Sequence, residues 1–414
     1  MGRGTGWTDR VDRRLTLRLV ALAIGMFAIG TDSFVVAGIL PGVAKDLDIS
    51  VSDSAELITA YALSYAVLSP VIATLAARVP RKQLLLIGLG IFIVGNIGTG
   101  LANSFEAAMA FRVVAALGGA TFTPTSGATV VALAPAEKRG TALAILFGGL
   151  SAATALGSPI GTAISSFTDW RGTMMFVAVV GLVGGLAVAI GVPAVPAPPA
   201  VGLKQRLSPL SDIKIVLTLI LLAVAYCGLF ILYTYVSQVF SPATGGNTRT
   251  LAWLLFAWGV AAVIGNFAAG KLTDRIGNRI IINTAGVIAV LVFATTPWTS
   301  KHLVTAFIAL MIWGACGWAM LVPIQHRLVG INPSAAPLAI SLSSSANYIG
   351  VSLAPIVGGF IVHHGVGMKH LGIPAAGIVV VGLLAGEWGQ ALIRRGQKAA
   401  EAAGAPAAQP ASAR

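Results

Sequence analysis

Charge is scarce in this 414-residue chain: only 10% of its residues are Asp, Glu, Lys or Arg, 56% are hydrophobic, and the mean hydropathy is +0.88. A water-soluble globule needs far more polar surface than that, so a soluble fold is excluded and lipid is the expected solvent. Acid is scarcer still, with 14 Asp and Glu against 27 Lys and Arg. The resulting formal charge of +13 does not mark a nucleic-acid binder, because the basic residues come in short clusters between apolar runs rather than along one face or tail. Cys227 and Cys316 both sit in apolar segments without a CxxC or a nearby His or Asp, which excludes a metal site built on them and leaves core packing. The adjacent His363 and His364 read as part of an exposed loop rather than as metal ligands. No G-x-x-x-x-G-K-[ST] sequence occurs, so ATP is not the direct energy source. The apolar segments also lack the acidic, His and Cys clusters that catalysis needs, so no catalytic residue is assigned and a polytopic membrane enzyme is the distant alternative.

What the chain has in abundance is long apolar runs. A spanning helix needs roughly 20 apolar residues, because each residue rises about 1.5 Å and the hydrocarbon core is about 30 Å thick. Polar breaks divide the sequence into twelve such spans, near 18–41, 55–77, 83–103, 106–131, 139–165, 171–192, 213–239, 250–271, 279–298, 302–326, 335–362 and 371–393. The first is too long, and too poor in A-x-A-type cleavage sites, to be a secretory signal despite Arg10, Arg13, Arg14 and Arg18 ahead of it. The long, proline-rich connection 193–212 separates two six-helix bundles, 18–192 and 213–395, flanked by an N-terminal segment 1–17 and an Ala/Pro-rich tail 396–414 expected to be disordered. Assigning Lys and Arg to alternate sides places 21 with the termini and 5 opposite, with Arg112 left inside a span. That asymmetry predicts cytoplasmic N-terminal segment, linker and tail, and an even number of spans.

The halves echo each other. Ala73-Thr-Leu-Ala-Ala-Arg-Val-Pro-Arg-Lys82, after the second span, aligns without gaps with Gly270-Lys-Leu-Thr-Asp-Arg-Ile-Gly-Asn-Arg279, after the eighth, at an offset of about 197 residues. Leu143-Ala-Ile145 likewise matches Leu338-Ala-Ile340, and Pro159-Ile-Gly161 resembles Pro355-Ile-Val-Gly358. A duplicated six-plus-six architecture follows.

Several motifs carry chemistry. Gly270, Leu272, Asp274, Arg275, Gly277 and Arg279 form G-x-L-x-D-R-x-G-x-R, in which glycines allow a tight turn while the acid serves helix N-termini or pairs with arginine. The first-half copy keeps Arg78, carries Arg81 one position before Lys82, which stands for the final arginine, and has Ala73, Ala77 and Pro80 in place of its glycines and acid. The fifth span carries Gly149 and then Gly157-Ser-Pro-Ile-Gly161, with Pro159 able to bend the helix and the glycines suited either to sliding or simply to close packing. The first span carries Gly30-Thr-Asp-Ser-Phe-Val-Val-Ala-Gly-Ile-Leu-Pro41; its Asp32 lies so deep that the carboxylate costs several kcal/mol unless paired, protonated or wetted. Thr31 and Ser33 could satisfy it locally. Counting about 1.5 Å per residue from the outer helix ends puts Asp32 roughly 13 Å deep and Arg112 of the fourth span roughly 9 Å deep, within reach of each other unless Arg112 snorkels outward.

These motifs resemble the major facilitator superfamily over nearly the whole chain, and the first-span string is most similar to its drug:proton antiporter branch, which includes bacterial sugar-efflux and chloramphenicol-efflux proteins. The resemblance implies an all-α membrane protein, with twelve helices in two pseudo-symmetric bundles, in a bacterial inner membrane. It implies a monomeric exporter of a drug or sugar-like molecule, driven by a proton gradient with no cofactor; a facilitator or symporter is the alternative. Asp32 is then the proton carrier and Arg112 its modulator, since burial favours the neutral acid whereas an approaching arginine favours the carboxylate. The implied fold rings the substrate cavity with helices 1, 4, 7 and 10, making Phe34, Tyr226, Phe230, Tyr233, Gln325 and Asn347 cavity candidates. Trp170-Arg171 resembles a family hallmark and reads as an interfacial anchor.

The basic tally makes a direct prediction. A reporter fused after Arg395 should be cytoplasmic and one inserted within Asp46 to Asp53 extracytoplasmic; finding both on the same side would refute the orientation.

Overall fold

The computed structural model describes residues 5–76, 78–135, 138–197 and 202–402. Among them the regular structure is helical throughout, as it must be where no water is at hand to satisfy backbone N–H and C=O groups. The first half comprises α1 (Thr5–Asp46), α2 (Val51–Leu75), α3 (Arg81–Leu101), α4 (Phe105–Leu133), α5 (apolar over Thr141–Ser165) and α6 (Trp170–Gly191). The second comprises α7 (Ile213–Thr234), α8 (Thr248–Ile276), α9 (Asn278–Ala294), α10 (Leu303–Ile331), α11 (Ala336–His363) and α12 (Gly372–Ala402). Eleven of these are long and apolar enough to cross a membrane. The exception, α9, is 17 residues long and is continued by the single turn Thr296–Thr299. The end where α1 begins, rich in Arg and Lys, is called the basic end below; the opposite is the far end.

Helix starts at the far end follow local chemistry. Ser50 and Asp53 form a reciprocal capping box on α2, Ser104 accepts from the amide of Ala107 on α4, and Asn247 accepts from the amides of Arg249 and Thr250 on α8. Helix α10 breaks at Met320, where Pro323 has no N–H to give the Ala319 carbonyl.

Two boundaries differ from expectation. Helix α1 starts at Thr5 rather than near residue 18, because Arg and Leu are good helix formers and neither Pro nor Gly interrupts the segment from Trp7 to Val20. Helix α12 runs on to Ala402, seven residues into the segment expected to be disordered; residues 403–414 lie outside the described residues. The linker carries a short helix, Leu203–Leu207, and a turn, Ser208–Ser211, and Arg206 donates from Nη2 to the Ala73 carbonyl at 3.0 Å.

Without a hydrophobic drive between helices in lipid, close packing has to come from small residues. Helices α3 and α4 meet backbone to backbone: a Cβ on Gly95 would overlap Ala115, and one on Gly118 would overlap Phe92 and Gly88. Gly90, in the same helix, faces open space. Gly95→Val and Gly118→Val are therefore expected to destabilise the first half by about 1–3 kcal/mol each through overpacking. Gly90→Val should leave it unchanged, as read from thermal unfolding of the detergent-purified protein.

Candidate functional site

Asp32 and Arg112 sit on neighbouring helices of the first half and are 0% and 1% exposed. Arg112 donates from Nη1 to Asp32 Oδ1 at 2.6 Å, and its Nε reaches the Leu57 carbonyl at 3.4 Å. Its guanidinium carbon lies 4.4 Å from the centre of the Tyr61 ring, a cation–π contact strengthened by exclusion of water. Arg112 therefore turns inward instead of snorkelling. Neither local hydroxyl serves Asp32: Ser33 donates to the Ile29 carbonyl, and Thr31 Oγ1 has no partner among the described residues. Asp32 Oδ2 and Tyr61 OH are also buried and without a partner there. Half of the carboxylate is thus unsatisfied, which is costly in an apolar interior and marks a place for water, a proton or a ligand group.

The pair backs onto a cavity of about 330 Å³ between the halves. Arg112, Tyr61, Tyr65, Met26, Ser33 and Phe34 line it from the first half, and Tyr226, Phe230, Trp318, Gln325, Asn347 and Tyr348 from the second, whereas Asp32 itself stays behind Arg112 and Tyr61. Five of the six residues expected at a cavity are there. Tyr233 is not: its hydroxyl donates to the Phe34 carbonyl at 3.0 Å and lies 3.1 Å from Ser158 Oγ, behind the wall. The helical stripe Tyr226, Phe230, Tyr233 ends there because Tyr233 packs against Trp258 and Trp313. Sequence periodicity missed Tyr61, Tyr65, Trp318 and Tyr348; their signal was an aromatic within an apolar span, which does not say which way the ring points.

Hydrogen bonds and ring contacts join the two bundles from mid-bundle toward the far end. Tyr65 stacks on Tyr348 at 3.9 Å, Tyr348 OH lies 3.4 Å from Ser33 Oγ, and Thr59 donates to the Ser352 carbonyl at 3.0 Å. Helix α5 opens into a π turn at Ala153–Gly157, and Gly259 of α8 lies directly against Thr154 and Ala155 of that turn. On its other side, Gly149, Gly157 and Gly161 press on Ala23, Thr31 and Val35 of α1, with Pro159 buried between them. The sequence motif of α5 thus lies in close contact between helix α1, which carries Asp32, and the opposite bundle.

A family model for the Major Facilitator Superfamily matches residues 22–332 and, in a second register, 218–409. The chain belongs to the major facilitator superfamily. An uncharacterized MFS-type transporter of Bacillus subtilis, YtbD, is 30% identical over 389 residues, 92% of this chain and 97% of its own. A chloramphenicol resistance protein of Streptomyces lividans is 29% identical over 358 residues (85% and 91%). A probable sugar efflux transporter of Helicobacter acinonychis is 26% identical over 380 residues (90% and 94%). In fold, the chain matches the crystal structure of a bacterial homolog to the human lysosomal transporter Spinster, in an inward-facing and occupied conformation, with a TM-score of 0.71 at 18% identity, covering 90% of this chain and 96% of that one. The protein is a transporter of this superfamily, built as two six-helix bundles, and not an enzyme.

The superfamily loop motif looks different in the structure from its sequence reading. Gly277 ends α8 at φ +85°, a conformation that requires glycine, and Gly270 packs loosely near Val322. Asp274 and Arg275 are exposed, and neither forms an ion pair among those of the described residues. Arg279 instead holds Glu387 of α12 through Nε at 3.0 Å and Nη2 at 2.5 Å, while Asn283 donates to the same carboxylate at 2.7 Å. Glu387, visible in sequence only as an acid near the end of a span, is the partner that motif reading missed. Arg327, counted as a loop cation, is 3% exposed and donates to the Gly386 carbonyl. In the first half Arg78 is exposed and Arg81 donates to the Ala128 carbonyl at 2.9 Å, while Ala77 lies outside the described residues. Trp170 is no interfacial anchor: it is 3% exposed because its indole N–H donates to Asp46, which also takes Arg171 Nη2 at 2.8 Å. His363 and His364 end α11 in the open, and no group of three metal-ligating side chains occurs among the described residues.

At matched expression, Glu387→Gln, which weakens the partner of Arg279, should slow transport or shift the conformational balance more than Asp274→Asn does, since Asp274 is exposed and forms no ion pair among those of the described residues. Equal and negligible effects of both would remove the case for a gating role of the Arg279–Glu387 pair.

Proposed function

We propose that this transporter exports a small amphipathic molecule, drug-like or sugar-like, from the cytoplasm of a bacterial cell in exchange for protons, as a monomer with both termini cytoplasmic. The observation that carries this reading is the buried Asp32–Arg112 pair beside the central cavity, with one carboxylate oxygen left over. A carrier has to load a proton on one side and release it on the other, so its surroundings must change as the bundles rock. Asp32 suits that requirement: Arg112 bonds one of its oxygens in the present arrangement, and rocking of the second bundle would change the water and donors that reach the other. Protonation would remove the charge that ties Arg112, at the cavity wall, to α1. Substrate and proton then compete for one neighbourhood, which links the two fluxes. The proton gradient supplies the energy, and no cofactor is needed.

Relatives named for chloramphenicol resistance and for sugar efflux support outward transport as the direction. The aromatic lining supports a substrate with an apolar body, since rings offer area and weak polarity at little entropic cost. A facilitator or symporter of a small metabolite is the alternative, separated by whether transport depends on the proton gradient.

The decisive experiment is uptake into inverted vesicles under controlled pH, screened across antibiotics, pentoses and nucleosides. Asp32→Asn is expected to abolish gradient-driven accumulation while sparing downhill exchange. Asp32→Glu should keep partial activity with a displaced pH optimum, because the acid survives in altered geometry. An Asp32→Asn protein, correctly inserted, that still concentrates substrate and responds normally to pH would falsify coupling through this residue.

A further inference from the structure

A second and larger cavity, about 740 Å³, opens at the far end between the bundles. It is bounded by the end of α1, the α5–α6 junction and the segment joining α7 to α8. Only one helical turn separates it from the central cavity. Phe34 lines the inner space and Gly38, four residues on, lines the outer one, a spacing of about 6 Å along α1. The partition is the Phe34 carbonyl with the hydroxyls of Tyr233 and Ser158 bonded to it.

The vestibule is more polar than the inner cavity. Its walls present Ser165, Ser237, Gln238, Ser241, Asn247 and Thr248, with Trp170 as the one aromatic ring among its lining residues. Its two acids are already engaged: Asp46 accepts from Trp170 and Arg171, and Asp169 caps α6 by accepting from the Gly172 amide at 2.9 Å. Lys45 stands exposed at the rim. What remains unsatisfied is neutral. Ser237 Oγ and Gln238 Oε1, in the short helix Val236–Val239 that follows α7, are buried and have no hydrogen-bond partner among the described residues. Buried amide and hydroxyl groups are nearly always paired, so two adjacent unpaired ones just beneath the lining of a space of ligand size, a side-chain rotation away from it, have something to gain from a molecule that both donates and accepts.

We propose that the vestibule is a second binding station, on the exit side, for an uncharged polyhydroxylated group, with Ser237 and Gln238 as its hydrogen-bonding floor. The inference rests on the transport reading above and narrows its substrate: the cargo carries an apolar body that suits the inner cavity and a hydroxyl-rich head that suits the outer one. Passage would exchange ring contacts for hydrogen bonds as the one-turn partition opens.

The test needs no gradient and no transport, so it can fail while proton-driven efflux stands, and the reverse. Ser241→Cys, on the cavity wall away from the floor, is labelled with a maleimide in the purified, detergent-solubilised chain, where both ends are reachable, against the background of Cys227 and Cys316. Maltose serves as the neutral hydroxylated probe, glucuronate as its anionic counterpart, and glycine betaine as a hydroxyl-free osmolyte. Maltose is expected to slow labelling several-fold where betaine does not, and Thr248→Cys, on the same cavity wall, should show the same protection even if Ser241→Cys folds poorly. Equal rates with maltose and betaine at both positions would overturn the station, and protection by glucuronate but not maltose would overturn its neutral chemistry.

Discussion

A carboxylate held away from water is tolerable only while a partner holds it, and most of the first bundle's architecture follows from keeping Asp32 and Arg112 in register. Separating such a pair by loss of one member costs about 3–5 kcal/mol, comparable to a large share of a domain's net stability. Arg112 is accordingly fixed on three sides, by Asp32, by the Leu57 carbonyl and by the Tyr61 ring, which ties α1, α2 and α4 together at one level. Only one edge stays loose: Asp32 Oδ2, Tyr61 OH and Thr31 Oγ1 have no partners among the described residues. A site satisfied on every side would be inert. One satisfied on most sides is rigid yet still has something to gain from a proton or a donor.

Rigidity around the pair would be useless if α1 could not move relative to the second bundle. Small residues solve this, because they let α5 touch α1 on one side and α8 on the other through backbone rather than through interlocked side chains. The π turn at Ala153–Gly157 falls at that double contact, where a register change within a helix costs least to accommodate. The far-end seam works differently. There the bundles are joined by a few directed bonds, such as Tyr233 to Phe34 and Thr59 to Ser352, which break individually and re-form without repacking a core.

Sequence alone revealed the twelve spans, their pairing into halves and the reach of Arg112 to Asp32, because each depends on a quantity that runs along the chain: length of apolar run, spacing of repeats, depth of a charge. It failed where direction around a helix axis decides. Tyr233 shares a stripe with Tyr226 and Phe230 yet turns behind the wall, and Trp170, which by type belongs at a lipid interface, is buried against Asp46. The loop motif failed for a further reason. Its pattern names Asp274 as the acid, but ion pairing is settled by proximity in space, and Glu387, more than a hundred residues away, has the shorter route to Arg279. The start of α1 and the end of α12 were misjudged because apolar content was used to bound helices whose polar ends need no lipid.

The two bundles are alike in path and unlike in chemistry, and the difference has a physical logic. Each repeat places an arginine out of solvent, Arg112 in α4 and Arg327 in α10, but at different depths. The deep one faces an acid at mid-bundle, while the shallow one sits near the basic end beside the Arg279–Glu387 pair and bonds the Gly386 carbonyl. Among the described residues, charge at mid-depth is therefore confined to the first bundle, and the second offers the cavity rings, three amides and a few hydroxyls. A duplicated scaffold that kept a buried ion pair in both halves would bear the desolvation cost twice and present two competing charges to one ligand. Concentrating the charge in one half leaves the other free to supply weak, broad contacts, so that under the proposed rocking of the halves the surroundings of a single titratable group would change.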